Sequence, residues 1–161
     1  MSPLDAEAVS QLVEAWDLIG PELVRLGLAR LSDAEAEELT ALLARWSPPI
    51  ADNDRRLDEV LRFSELSMLV FHLLATASAN PWLRASFDQL SDQMSRLWVT
   101  LLRGREVPEQ LQQLMNRWNQ DIAGRRPDEI AESLPLLIRE SGQTAQDLFR
   151  RLGVTHASPR T

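Results

Sequence analysis

The chain has 161 residues, a net charge of −7 and an isoelectric point near 4.9. That length suits one domain with a hydrophobic core of its own, and the acidic balance argues against a direct grip on nucleic-acid phosphates. The absence of cysteine and lysine excludes disulfides, thiolate nucleophiles, cysteine-bound zinc, Schiff bases and a Walker-type phosphate lysine.

From Leu4 to Leu31 the apolar positions Leu12, Trp16, Ile19, Leu23 and Leu26 recur at three and four, predicting an amphipathic helix. Gly20-Pro21 either kinks that helix or breaks it in two. Ser32 with Glu35 is a capping box for a second helix to about Trp46, ended by Ser47-Pro48-Pro49. A loop over Pro48 to Asp54 leads to a third helix, roughly Arg55 to Ala77. Its Leu57, Leu61, Met68, His72 and Ala75 are expected on one inner side, broadened by Phe71.

Asn80 and Pro81 supply a cap and a first-turn proline for a fourth helix, entered through a tight corner. Phe87, Leu90, Met94, Leu97 and Leu101 form its buried stripe, and Gly104 ends it. A fifth helix, about Pro108 to Ile122, buries Leu111, Leu114, Met115, Trp118 and Ile122 and stops at Gly124. A sixth starts at Pro127, with Asp128 and Glu129 favouring the positive end of its dipole, and runs to Leu152 with a bend at Pro135. Gly153 stops it.

No stretch alternates apolar and polar residues as a strand does. The expected fold is therefore an all-α, six- to seven-helix antiparallel bundle: one domain over 1–153 and a flexible tail over 154–161. There is no signal peptide and no unbroken apolar run of membrane length, so the expected location is cytoplasmic. Nucleophile elbow, Gly-rich phosphate loop and paired-histidine motif are all lacking, so no enzyme is expected. Met68, Met94 and Met115 fall on three predicted inner faces, where methionine tolerates irregular space and a flexible apolar guest, although methionine also serves as plain core filler.

The corner, FHLLATASANP from Phe71 to Pro81, resembles the recurrent marker of the C-terminal effector domain of GntR-type bacterial transcription regulators. The opening LDAEAVSQLVEAW and the late run RESGQTAQDLFRRL resemble the fatty-acid-responsive, FadR-type branch of that family. The resemblance implies a ligand sensor and a homodimer. It also implies that DNA is held by a separate N-terminal winged helix-turn-helix domain, which this sequence lacks, whether as an excised domain or as a natural stand-alone module.

Many members of the family hold a divalent metal through an aspartate four residues before the corner histidine and two later histidines. The corresponding positions here are Met68, Asn116 and Ile138, so neither a metal nor another cofactor is expected. The resemblance then implies a fatty acyl-CoA or small organic acid inside the bundle, in contact with Met68, His72, Trp82, Met94, Met115, Trp118, Ile138, Arg139 and Ser141. Ser141 matches the branch's effector-contacting serine, while Ala145 stands where the branch has an aromatic contact. Each candidate also has a purely structural role open to it. His72 suits a hydrogen-bonded core position, Ser141 suits a bond back to the Leu137 carbonyl, and the tryptophans suit the core or an interface. Arg139, Arg84, Arg150 and Arg151 suit either an anion or solvent. The competing function is a helical dimerisation or protein-interaction module with no ligand.

Overall fold

The computed structural model describes residues 4–46, 56–103 and 109–151. Six helices follow one another: α1 (Ala6–Arg30), α2 (Asp33–Arg45), α3 (Arg56–Ala77), α4 (Pro81–Arg103), α5 (Glu109–Ala123) and α6 (Pro127–Arg151). Among the described residues there is no strand, and the chain is an all-α bundle. The expected loop over Pro48 to Asp54, the stops at Gly104 and Gly153 and the tail over 154–161 lie outside the described residues.

Side-chain caps set the helix starts. Asp5 accepts from the Ala8 amide at 2.8 Å to begin α1. At α2 the Ser32 hydroxyl accepts from the Glu35 amide while the Glu35 carboxylate accepts from the Ser32 amide at 2.8 Å, the reciprocal pairing foreseen from the sequence. The Ser32 amide and hydroxyl hold the Glu35 carboxyl below its ordinary range. A lowered carboxyl pKa stabilises the fold above the unfolded-state value, so this contribution is present at neutral pH and is lost as the pH falls through the lowered value.

α1 passes through Gly20-Pro21 as one helix of 25 residues, which excludes the break. α6 likewise continues through Pro135. α5 ends at Ala123, with Gly124 at the expected stop. The left-handed residue is Arg125, with φ of 50°, and the Arg126 amide donates to the Asp121 carbonyl at 3.0 Å. Gly124 thus precedes the reversal and does not itself form it.

The inner face of α3 differs in part from expectation. Met68, Phe71 and Ala75 are buried as expected, together with Val60, Phe63, Ser64, Ser67, Val70 and Leu74, whereas Leu57, Leu61, Leu69 and His72 are exposed. The buried serines find partners inside the bundle: Ser67 donates to the Phe63 carbonyl at 2.8 Å within α3, and Ser64 lies 3.0 Å from the Ser95 hydroxyl on α4. Burial therefore costs them little, and the leucines are displaced outward. By length and composition Leu57–Ala77 would also pass for a membrane span, although Asp58, Glu59, Arg62 and Glu65 interrupt its apolar run and 67% of its apolar 18-residue window is buried inside the bundle.

At the α3–α4 corner the Ser78 amide donates to the Leu74 carbonyl, and Ala79 reverses the chain with φ of 50°. Asn80 Oδ1 then accepts from the Trp82 and Leu83 amides, both at 3.1 Å. Arg30 closes the corner from α1 by donating to the Ser78 carbonyl. Since Ala79 is exposed and held in a region that L-residues avoid, Ala79→Gly is expected to raise stability by about 0.5–1 kcal/mol in urea unfolding. A loss of stability would show that the corner needs the methyl group.

The core joins all six helices in one cluster. Two aromatic groups run through it: Trp16 edge-on to Phe71 at 5.0 Å with Phe71 stacked on Trp118 at 5.4 Å, and Trp46 stacked on Phe63 at 5.1 Å with Phe63 edge-on to Trp98 at 5.9 Å. α1 packs along α6 and crosses α3 and α4, so the bundle's centre lies between α1, α3, α4, α5 and α6.

Candidate functional site

The centre holds a small enclosed cavity of about 20 Å³. α1 contributes Val13 and Trp16, α3 contributes Ser67 and Phe71, and α4 contributes Met94, Leu97 and Trp98. α5 adds Met115 and Trp118, while α6 adds Leu134, Leu137, Ile138 and Ser141. Trp46, the residue that caps the end of α2, completes the wall. Every helix thus either lines the space or is capped by a residue that does, and any guest would touch the whole bundle.

The wall is apolar apart from two serines and the indole N–H groups. Ser67 accepts from Trp46 Nε1 at 2.7 Å, and Ser141 donates to the Leu137 carbonyl at 2.6 Å, the local bond anticipated for it. Ser141 therefore makes its helical bond and faces the cavity at once. Trp98 is 6% exposed, and its Nε1 is buried with no hydrogen-bond partner. None of the lining residues is ionisable, so the cavity has neither an acid or base for proton transfer nor a cation for a buried carboxylate.

Of the residues singled out from sequence, Met94, Met115, Trp118, Ile138 and Ser141 meet around this space. Met68 and His72 do not. They line a separate surface groove of about 340 Å³ between α3 and α4, with Leu61, Glu65, Ser91 and Asp92. The His72 side chain is 47% exposed; its Nδ1 lies 3.6 Å from Asp88 Oδ1, and its ring stands edge-on to Phe87 at 4.8 Å. The expected hollow beside this imidazole accordingly lies on the adjoining side of α3, where Ser67 and Phe71 face it.

Trp82 is 83% exposed and does not wall the cavity. Arg139 is on the surface 3.2 Å from Asp17, Arg84 lies 4.0 Å from Asp88, and Arg150 lies 2.9 Å from Asp147. Arg151 donates to the Asp147 carbonyl at 3.4 Å. Sequence reasoning did not single out Trp46, Ser67 and Trp98 as site residues. For Trp98 a signal existed, since it follows Met94 by four residues and so shares its inward face. Among the described residues no group of three or more histidine, aspartate or glutamate side chains is placed to hold a metal ion.

Compared with known proteins, residues 11–140 match the family model described as the FCD domain. No curated protein and no solved structure matches the chain significantly.

Proposed function

Because this chain belongs to the FCD domain family, the C-terminal, effector-binding domain of GntR-family regulators and not an enzyme family, we propose that its central cavity is the effector site of a FadR-like, metal-independent sensor. The effector is a fatty acyl group, as in an acyl-CoA, or a small organic acid. The observation that carries this reading is an apolar cavity walled by all five cavity-facing helices and the cap of α2, with Ser141 among its few polar groups.

At about 20 Å³ the cavity admits little more than one water-sized sphere, so binding must enlarge it. Met94 and Met115 are the adaptable parts of the wall. A chain entering between them turns both side chains or parts the helices that carry them, and this motion is the signal. A charged head group stays at the surface, because an unpaired carboxylate buried in this wall would cost several kcal/mol. Within a complete regulator the motion would be read by a separate winged-helix DNA-binding domain in a cytoplasmic homodimer.

A second reading, a helical dimerisation module without ligand, is favoured by the nearly filled interior and by the exposed Leu57, Leu61 and Leu69 along α3. A thermal-shift series of fatty acids and acyl-CoA compounds, run beside sedimentation at several protein concentrations, separates the two. An effector at about 100 times its Kd stabilises the folded state by about 2.7 kcal/mol. An unmoved melting temperature together with a concentration-dependent dimer would support the second reading and sink the first.

A further inference from the structure

We propose that the guest carries a neutral carbonyl oxygen and that the Trp98 indole N–H is the group that recognises it, a claim that rests on the reading of the central cavity as the effector site. Trp98 lines the cavity, is 6% exposed and holds a buried Nε1 with no partner. A buried donor left unpaired is costly, and a native core seldom keeps one without a purpose.

The neighbouring indole shows the contrast. Trp46 Nε1 donates to Ser67 at 2.7 Å, and Ser67 in turn donates to the Phe63 carbonyl. That chain of bonds is complete within the protein, whereas the Trp98 donor is open. Ser133 Oγ is also buried and unpaired, but Ser133 does not line the cavity. Edge-on packing against Phe63 at 5.9 Å holds the Trp98 ring from the α3 side.

The missing partner has a defined chemistry. An indole N–H donates only and therefore requires an acceptor. The wall contains no cation, which disfavours a carboxylate and leaves an uncharged carbonyl oxygen, as in a ketone, ester or thioester, attached to an apolar body. Discrimination against an analogue lacking the oxygen then follows from leaving the indole unpaired again.

Two shape-matched probes test the claim: 2-heptanone, and 2-methyl-1-heptene, in which a methylene replaces the oxygen. Both are titrated into ¹⁵N-labelled protein while the indole N–H signals are followed, the Trp98 signal being assigned in the wild-type protein through its Overhauser contacts to Phe63. The ketone is expected to bind about fivefold more tightly than the alkene, as one neutral hydrogen bond allows, and to shift the Trp98 signal downfield. Trp98→Phe should remove the preference while the alkene still binds; if that variant fails to fold, the wild-type indole shift decides alone. Equal binding of the two probes with an unmoved Trp98 signal overturns this inference but leaves the cavity as a binding site. Binding of neither probe, with fatty acids and acyl-CoA compounds also inert, overturns the effector-site reading and this inference with it.

Discussion

Trp16→Ala is expected to lower the stability of the folded chain by about 3–5 kcal/mol in urea unfolding, the largest loss from any single truncation in the bundle. Trp16 is 1% exposed, stands edge-on to Phe71 and lies 5.6 Å from Phe87, so it ties α1 to α3 and α4 at once. It also lines the central cavity. Its removal should therefore leave a void continuous with the cavity, large enough for a flat apolar molecule, and added indole should restore part of the lost melting temperature. The wild-type protein should gain much less from indole. A loss below about 1 kcal/mol would mean that α1 does not pack as described.

Gly27→Ala should cost about 3 kcal/mol, for a different reason. A β-carbon there would fall 2.5 Å from the Leu74 carbonyl oxygen and 2.9 Å from Leu74 Cβ. The obstacle is backbone, which cannot turn aside, so α1 and α3 must separate. Gly142→Ala is the control. Its β-carbon would meet Val13 Cγ2 at 2.5 Å and Cγ1 at 3.3 Å, a side chain that cannot rotate clear but borders the cavity and can shift toward it, and the expected cost is about 2 kcal/mol, below that at Gly27. Equal costs at the two glycines would show that the α1–α3 crossing is looser than the atoms suggest.

Much of the fold was legible because its signals are local. The Ser32-Glu35 capping box, the Asn80 cap and the three-and-four spacing in α4 and α5 each depend on residues within one or two turns. α3 was harder to read because apolar residues surround most of its circumference, so periodicity alone cannot choose a face. The choice is made by Ser64 and Ser67, whose hydroxyls find partners in the interior and let the serines go inside. With that face only partly judged, His72 was expected inside and is exposed in the surface groove, while Met68 is buried as expected but borders that groove and not the central cavity.

The site was legible in the same uneven way. Met94, Met115, Trp118, Ile138 and Ser141 lie on helices with a clear inward stripe and do converge. Trp46 and Ser67 reach the same wall from the end of α2 and from α3, which no spacing within a single helix reports. Trp98 was visible as a core residue, but its open indole emerges only once every neighbouring acceptor has been placed.

The tryptophans provide the most direct test of the claim that a guest belongs in the bundle's centre. Trp16, Trp46, Trp98 and Trp118 all line the cavity, and Trp82 alone is exposed. In a Trp82→Phe variant the emission therefore reports only on that wall. Titration with octanoic acid and octanoyl-CoA should give a saturable change in emission from at least one of them, and this change should vanish when Ser141→Leu adds more volume than the 20 Å³ available. Emission that stays constant across both titrations, or that changes equally in the Ser141→Leu protein, would contradict the account.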